Sequence, residues 1–445
     1  NIRVDTYGWE VKRVLPRINE DINEEWISDK TRYACDGLLN QRLDTPYIKY
    51  NNKFDKSSWK EVFNIISSKI KATDNKKICG FTGDLNNMES LYIFKDFFNK
   101  IIKNNNYDCR SNNQYVNNSK REDYLFNSTI NGVEECDFIF LIGSNIRHEA
   151  TILNSRIRKS CLNNNTKIIS LNDQGDLTFP YENLNGDSET IKRITEDNHP
   201  VSELLINAKK PMIILGPSVL ENQSGKYIFE SLKKFLFNKN KISENWNPLN
   251  VISLDASRIG SLDLGIINSG DGYNNLLNDL NKNKFEIVFL FGQDNLTFDK
   301  KNEFVIYIGS HGDRGAELAD IILPGSAYTE QDGYFTNIEG KLQKAYKASY
   351  PPGDAKEDWE IINDLSENIS GKKLYQNKNE LEKAMIGYLN IFYEQDKLKK
   401  IELKNNVDFV KEKIETKKID YYYSNVIARA SRTMAKCREV KDSKA

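Results

Sequence analysis

The residues of this chain with the most potential for redox or metal chemistry are its six cysteines, which stand singly. No two of them lie closer than 25 residues apart. Iron–sulfur and zinc sites usually draw two thiolates from one tight turn, because such a turn brings both sulfurs to the same ion. We therefore predict reduced, structural cysteines and no metal held by this chain. The six are Cys35, Cys79, Cys109, Cys136, Cys161 and Cys437.

Three histidines, His148, His199 and His311, are the next candidates for catalysis. None has a second histidine or a cysteine at metal-ligand spacing, and Glu149 is merely adjacent to His148. No GxSxG nucleophile turn is present. We expect no catalytic residue, and a histidine at a helix start is more typical of a surface or interface group.

Four buried strand-like runs, each ending in glycine, are the elements that must position any site. Helical patterns follow them, and strands that alternate with helices predict parallel sheets built of βαβ units. The runs are KICGFTG at 77–83, ECDFIFLIG at 135–143, KPMIILG at 210–216 and FEIVFLFG at 285–292.

The runs echo one another in pairs, since 77–83 resembles 210–216 while LIGSN at 141–145 resembles LFGQD at 290–294. Two related α/β lobes would produce this pattern; chance similarity between short apolar runs is the alternative. The first 16 residues alternate like a hairpin that turns at Tyr7 and Gly8. From about residue 377 the chain becomes charged, with helix-like patterns at 379–393 and 406–418.

Composition bounds the partners of the chain. Its 445 residues carry 63 Lys and Arg against 64 Asp and Glu, which gives no electrostatic reason to expect nucleic acid as a partner. The apolar runs are of strand length and too short to span a membrane, so no direct membrane insertion is expected. The chain begins at Asn1 without Met or a leader pattern, which suggests a processed, split or partial polypeptide.

One stretch, residues 309–343, is unusually rich in Gly and Asp. Glycines and short polar residues after strands suit a backbone that wraps round a large ligand or forms a tight seam between lobes. Three turns would line such a cleft, and if one survives it is expected to be vestigial. Its candidate residues are Gly143, Ser144, Asn145, Gly292, Asp294, Asn337, Glu339 and Gly340.

This stretch resembles the molybdopterin-oxidoreductase superfamily, in ADIILP at 319–324 and TNIEGKLQ at 336–343, with Lys341 in place of the usual Arg. Three further segments are similar to one branch, the large iron–sulfur subunit of respiratory complex I (NADH:ubiquinone oxidoreductase). They are LPRINEDINEEWISDKTR at 15–32, IGSNIRHEA at 142–150 with LNSRIRK at 153–159, and IARASRTMAK at 427–436.

The resemblance implies a molybdopterin-oxidoreductase-like α/β fold of two related parallel-sheet lobes, with a small N-terminal β-rich segment and a helical C-terminal extension. We expect residues 1–52 to pack on a cluster domain, 53–200 plus 309–370 to form the first lobe, 201–308 the second, and 371–445 a helical or extended tail. The N-terminal cluster-binding domain of the family is expected to be absent here.

The resemblance also implies a role: a non-catalytic structural subunit, or part of one, in the NADH-oxidising peripheral arm of complex I. Its partners would be the other peripheral-arm subunits, which would carry the iron–sulfur clusters and FMN, on the matrix side of the mitochondrial inner membrane. Two alternatives remain: an active molybdenum or tungsten enzyme, for which Cys109 and Cys161 are the only candidate ligands, and a retained pterin- or nucleotide-binding site without turnover.

Overall fold

A computed structural model describes residues 1–268, 270–404 and 406–443. Its strands are β1 (Ile2–Tyr7), β2 (Glu10–Pro16), β3 (Tyr47–Tyr50), β4 (Lys53–Lys56), β5 (Ile78–Thr82), β6 (Tyr107–Asp108), β7 (Phe138–Ile142), β8 (Lys167–Leu171), β9 (Glu182–Leu184), β10 (Pro211–Leu215), β11 (Leu249–Val251), β12 (Ile287–Phe291), β13 (Phe304–Gly309), β14 (Ile321–Pro324), β15 (Gly333–Thr336) and β16 (Leu342–Ala345).

Its helices are α1 (Asp29–Tyr33), α2 (Trp59–Ala72), α3 (Met88–Asp96), α4 (Ile146–Glu149), α5 (Thr151–Asn164), α6 (Ser188–Thr195), α7 (Pro200–Asn207), α8 (Pro217–Glu221), α9 (Gly225–Asn238), α10 (Arg258–Asp263), α11 (Asn275–Asn281), α12 (Arg314–Leu318), α13 (Asp358–Ser370), α14 (Lys378–Leu398), α15 (Val426–Ala430) and α16 (Arg432–Asp442). None of the helices in the described residues is long and apolar enough to cross a membrane.

The first lobe is built on a seven-stranded sheet in the order β4-β3-β14-β13-β12-β5-β6. Strands β14, β13, β12, β5 and β6 run parallel, and the β3–β4 hairpin adds an antiparallel edge. Side chains alternate along β12: Phe289 packs towards α2, α3 and α13, whereas Leu290 packs towards α11 and α12. Because helices cover both faces, the central strands are apolar at every position.

The second lobe is built on a five-stranded parallel sheet in the order β11-β10-β7-β8-β9. Phe140 in β7 faces α6, α7 and α9, and its neighbour Leu141 faces α5. The two lobes thus repeat one construction, and the predicted fold class is confirmed. The paired echoes have a structural counterpart as well, since β5 pairs with β12 as β10 pairs with β7.

The strands divide between the lobes differently from the expected boundaries, which need correction. Residues 138–184, expected in the first lobe, lie in the second sheet, and β12 with most of β13, expected in the second, lies at the centre of the first. The chain therefore crosses between the lobes more than once. The physical reason is that a parallel strand needs a long crossover before it can pair, so sheet neighbours come from distant segments.

The N-terminal segment forms the expected hairpin, β1 with β2, and Gly8 adopts φ +61 in the turn. Val11 and Val14 pack with Leu38, Ala327 and Ile427 in a small separate core. Ile427 belongs to α15, so the two ends of the chain share one core.

The C-terminal extension is helical only in part. Helix α14 matches the pattern at 379–393, but residues 406–418, expected to be helix-like, lie extended along the second lobe. Ser188 N–H donates to the Glu412 carbonyl at 3.0 Å and the Asn172 side chain donates to that of Ile414 at 2.7 Å. Ile414 is buried in the core of this lobe. Bonds to other segments therefore replace the helical ones that the pattern predicted.

Candidate functional site

Each sheet has one position where strand order reverses direction along the chain, and ligands of open α/β sheets bind outside the carboxyl ends of the strands there. In the first lobe this position lies between β5 and β12, and in the second between β10 and β7. All four strands are followed by glycine. We call the two positions the first crevice and the second crevice.

Backbone closes both crevices. In the first, Gly83 N–H donates to the Phe291 carbonyl at 2.8 Å. In the second, Gly216 N–H donates to the Ile142 carbonyl at 2.9 Å. A Cβ on Gly83 would overlap the Gly292 carbonyl oxygen, and one on Gly216 the Gly143 carbonyl oxygen. The glycines therefore allow two strand ends to touch, instead of holding them apart round a ligand.

A cavity of about 40 Å³ remains in the first crevice, beneath residues 425–427 of the C-terminal segment. Three carboxyl side chains line it, those of Asp84, Asp294 and Asp358. Such a volume holds a few water molecules at most.

The carboxyl groups in this cavity are perturbed chiefly by burial. Burial, with Asp313 nearby, raises the pKa of Asp294 to about 7, although Tyr307 Oη donates to its Oδ2 at 3.0 Å. Burial likewise raises the pKa of Asp358 to about 7, and burial together with Asp255 raises that of Asp84. Removal from water disfavours the charged form of each acid.

Arg429, one turn along α15, brings a positive charge to this acidic crevice. Its Nε donates to Asp313 Oδ2 at 2.6 Å and its Nη1 to Asn295 Oδ1 at 3.2 Å. The side chain is 9% exposed, and its Nη2 is buried without a hydrogen-bond partner in the described residues. The C-terminal segment thus covers the first crevice and places a guanidinium among its carboxyl groups.

The first crevice does not fit a pterin cofactor of the kind that the fold implies. A pterin with its metal and phosphate is many times larger than the space between the strand ends and α15. Of the predicted cleft residues, Gly292 and Asp294 lie here. Gly292 adopts φ +61 against the Asn86 side chain, and Asp294 accepts from Tyr307 and from Gly315 N–H.

The predicted cleft residues Gly143, Ser144 and Asn145 lie in the second crevice and bond to their own surroundings. Ser144 Oγ donates to Glu149 Oε2 at 2.6 Å, and Asn145 caps α4 by accepting from His148 N–H at 3.2 Å. Gly143, at φ +62, packs against Val219. Burial raises the pKa of Glu149 to about 7.

The third predicted turn lies between β15 and β16. Asn337 Oδ1 accepts from Lys341 N–H at 2.8 Å, and Glu339 Oε2 from Ile130 N–H at 2.9 Å. The Gly340 carbonyl accepts from Arg121 at 2.6 Å. Each of the three turns therefore contacts a different part of the chain, and these contacts do not join them round one ligand.

The cysteines and histidines are placed as packing residues. Burial raises the pKa of the Cys109 thiol to about 12, so it stays protonated, and Cys161 is half-buried beside the core of the second lobe. Burial lowers the pKa of His311 to about 4, and its Nε2 lies 2.9 Å from the Gly37 carbonyl. In the described residues no three His, Cys, Asp or Glu side chains form a metal-binding group.

Sequence reasoning missed Asp84, Asp358 and Arg429. Asp84 follows Gly83 directly after β5, so the rule that selected Gly292 and Asp294 could also have selected it. Asp358 and Arg429 reach the crevice from distant segments, and no local pattern marks them.

Comparison with known families places three matches along the chain. Residues 42–368 match molybdopterin oxidoreductase. Residues 1–36 match the NADH-ubiquinone oxidoreductase NDSU1/NuoG-like 4Fe-4S domain, and residues 391–437 match the C-terminal region of the same type of NADH-ubiquinone oxidoreductase subunit. We expected the N-terminal residues to pack against a cluster domain; the match identifies the first 36 with part of such a domain.

Curated relatives match nearly the whole chain. It is 38% identical to the NADH-ubiquinone oxidoreductase 75 kDa subunit of Reclinomonas americana, over 99% of this chain and 66% of that protein. It is 40% identical to the mitochondrial 78 kDa subunit of Candida albicans, over 98% and 62%. For the corresponding NADH-quinone oxidoreductase subunit of Rickettsia bellii the values are 39%, 99% and 64%. The chain thus spans slightly less than two thirds of the length of these relatives.

A solved structure shares the fold. Acetylene hydratase from Pelobacter acetylenicus superposes with a TM-score of 0.57 at 12% identity, over 89% of this chain and 71% of that one.

Proposed function

The chain belongs to the molybdopterin oxidoreductase family, in the branch of the NuoG-like 75 kDa subunit of NADH-quinone oxidoreductase, and from this premise we propose that it is a non-catalytic structural part of respiratory complex I. In this role it supports electron transfer from NADH to ubiquinone in the peripheral arm, without itself reacting with either.

The observation that carries this proposal is the order of the three family matches, at 1–36, 42–368 and 391–437. Two of them are particular to the NADH-ubiquinone oxidoreductase subunit, and they flank the molybdopterin oxidoreductase match on both sides. The closed crevices agree with a structural role, because the sites where an α/β sheet would bind a ligand are filled by the chain itself.

The proposal assigns no cofactor to the described residues. A 4Fe-4S cluster is held by four cysteine thiolates, whereas residues 1–36 contain one cysteine, Cys35, whose pKa burial raises. The clusters and FMN are then carried by other chains, or by parts of the protein outside the 445 residues. The partners are other peripheral-arm subunits, on the matrix side of the mitochondrial inner membrane.

The test isolates the assembly through a tag on the full chain. We expect NADH:quinone reductase activity to copurify with it, iron to be present, and molybdenum and tungsten to be absent by elemental analysis. Depleting the chain is expected to abolish both assembly and activity. Oxidoreductase activity of the isolated chain, with stoichiometric molybdenum or tungsten and a released pterin, would overturn the proposal.

A matched pair of surface variants tests where the partner lies. Trp26, which is 56% exposed, belongs to the segment matched by the 4Fe-4S domain; Leu398, which is 85% exposed, ends α14. Both substitutions, Trp26→Ser and Leu398→Ser, remove an exposed apolar side chain. We expect only Trp26→Ser to weaken assembly, and equal yields of intact complex from both variants would contradict a contact at the N-terminal segment.

A further inference from the structure

We propose that the first crevice is a binding site for a planar cation of the guanidinium or amidinium class, and that the chain's own Arg429 occupies it as an internal ligand. Residues 425–430 then act as a plug. The inference rests on the crevice alone and does not depend on membership of complex I.

The charges around Arg429 are the first support. Asp313 bonds its Nε directly at 2.6 Å. Asn295 bridges to a second acid, since its Oδ1 accepts from Arg429 while its Nδ2 donates to Asp84. Asp294, 4% exposed, lines the same cavity. The other nearby cation, Arg258, is paired with Asp255 and leaves these acids to Arg429.

The second support is the incomplete fit of Arg429 itself. A guanidinium has five N–H donors, and the Nη2 of Arg429 donates to no described residue although the side chain is nine-tenths buried. A buried donor without an acceptor costs free energy. The crevice thus offers Arg429 charge compensation and two acceptors in a suitable geometry, but does not saturate it, so that a free cation able to reorient inside it could compete.

The third support is that α15 is attached to the crevice by few side chains. Ile427 packs in the small core shared with β2. Asp36 accepts from Ser431 and Thr433, which hold the start of α16. The cavity beneath residues 425–427 shows that the segment covers the strand ends without filling the space between them.

The test is chemical rescue in the full chain. Arg429→Ala removes the guanidinium and leaves Asp84, Asp294 and Asp313 without it, so we expect a lowered unfolding temperature that millimolar methylguanidinium raises again. Equilibrium dialysis with labelled guanidinium should show one saturable site on this variant and none on the unaltered protein. Tetramethylammonium at equal ionic strength, which has no N–H donors, should give no rescue.

Two further variants decide between explanations. Arg432→Ala removes an exposed arginine from the next helix and should show neither the loss nor the rescue. Arg429→Ala with Asp294→Asn removes part of the site and should lose at least tenfold in guanidinium affinity. If Arg429→Ala is recovered unfolded, Arg429→Lys, which keeps the charge but not the planar fork, should fold and show partial rescue. No binding to any Arg429 variant, or equal binding to the unaltered protein, would overturn the proposal.

Discussion

Replacing Gly83 by alanine tests whether the first crevice is closed by backbone. The added Cβ would lie 2.8 Å from Gln293 N and closer still to the Gly292 carbonyl oxygen. Relief requires β5 and β12 to separate, because the neighbouring atoms are backbone and cannot rotate away. Both strands are anchored at this level, since Gly83 N–H donates to Phe291 and Gly292 N–H to Ile308 at 2.7 Å.

The size of the effect follows from that geometry. Overpacking a rigid core costs roughly 1–3 kcal/mol when side chains can adjust, and more when backbone must move. We therefore expect Gly83→Ala to lower the free energy of unfolding by at least about 3 kcal/mol. Separation of the strand ends would also weaken the protection of the Gly83 and Gly292 amides.

Gly387→Ala is the matched control, because it adds the same methyl group elsewhere. Gly387 lies inside α14, is exposed, and has no heavy atom within 4 Å of an added Cβ. Alanine in a helix interior is favoured over glycine by about 0.5–1 kcal/mol. We expect this variant to be slightly more stable than the unaltered protein.

Denaturant unfolding and hydrogen exchange at the β5 and β12 amides measure both variants. An unfolding midpoint of Gly83→Ala equal to that of the unaltered protein would refute the argument that backbone contact closes the crevice. So would shifts of the same sign in the two variants.

Two further predictions concern buried charges. Because the pKa of Asp358 is about 7 when folded and about 4 when unfolded, its stability contribution is complete below pH 4 and is lost as the pH rises through 7. Relative to Asp358→Asn, the protein should lose a few kcal/mol, roughly, between those limits, and parallel pH profiles would contradict this. Arg42→Met should cost about 3–5 kcal/mol, since it leaves the buried Glu330, bonded at 2.5 and 2.6 Å, without its cation. The double variant with Glu330→Gln should recover part of that loss in denaturant unfolding, and equal losses would argue against it.

Much of the local structure could be predicted from sequence. The runs that became β5, β7, β10 and β12 are uniformly apolar and end in glycine, which marks the central strands of a doubly covered sheet. The hairpin at Gly8 and the helix at 379–393 followed from turn chemistry and periodicity in the same way. Their pairwise echoes indicated two lobes of one construction.

The division of strands between the lobes could not be predicted in this way. β5 and β12 are about two hundred residues apart in sequence and adjacent in the sheet. A strand buried on both faces presents apolar side chains to every neighbour, so its sequence does not encode which strand it pairs with. The segment 406–418 failed for a related reason: its backbone bonds to the second lobe, and helical periodicity carries no information about such partners.

The sequence by itself determined the strands, their glycine ends, the family motifs and the isolation of every cysteine, because each of these is a property of neighbours along the chain. Only the tertiary structure decided that the strand ends touch at Gly83 and Gly292, and that α15 lies over the first crevice with Arg429 among its acids. Those contacts join segments from opposite ends of the chain, and burial in their company changes what Asp294 and Asp358 are as acids.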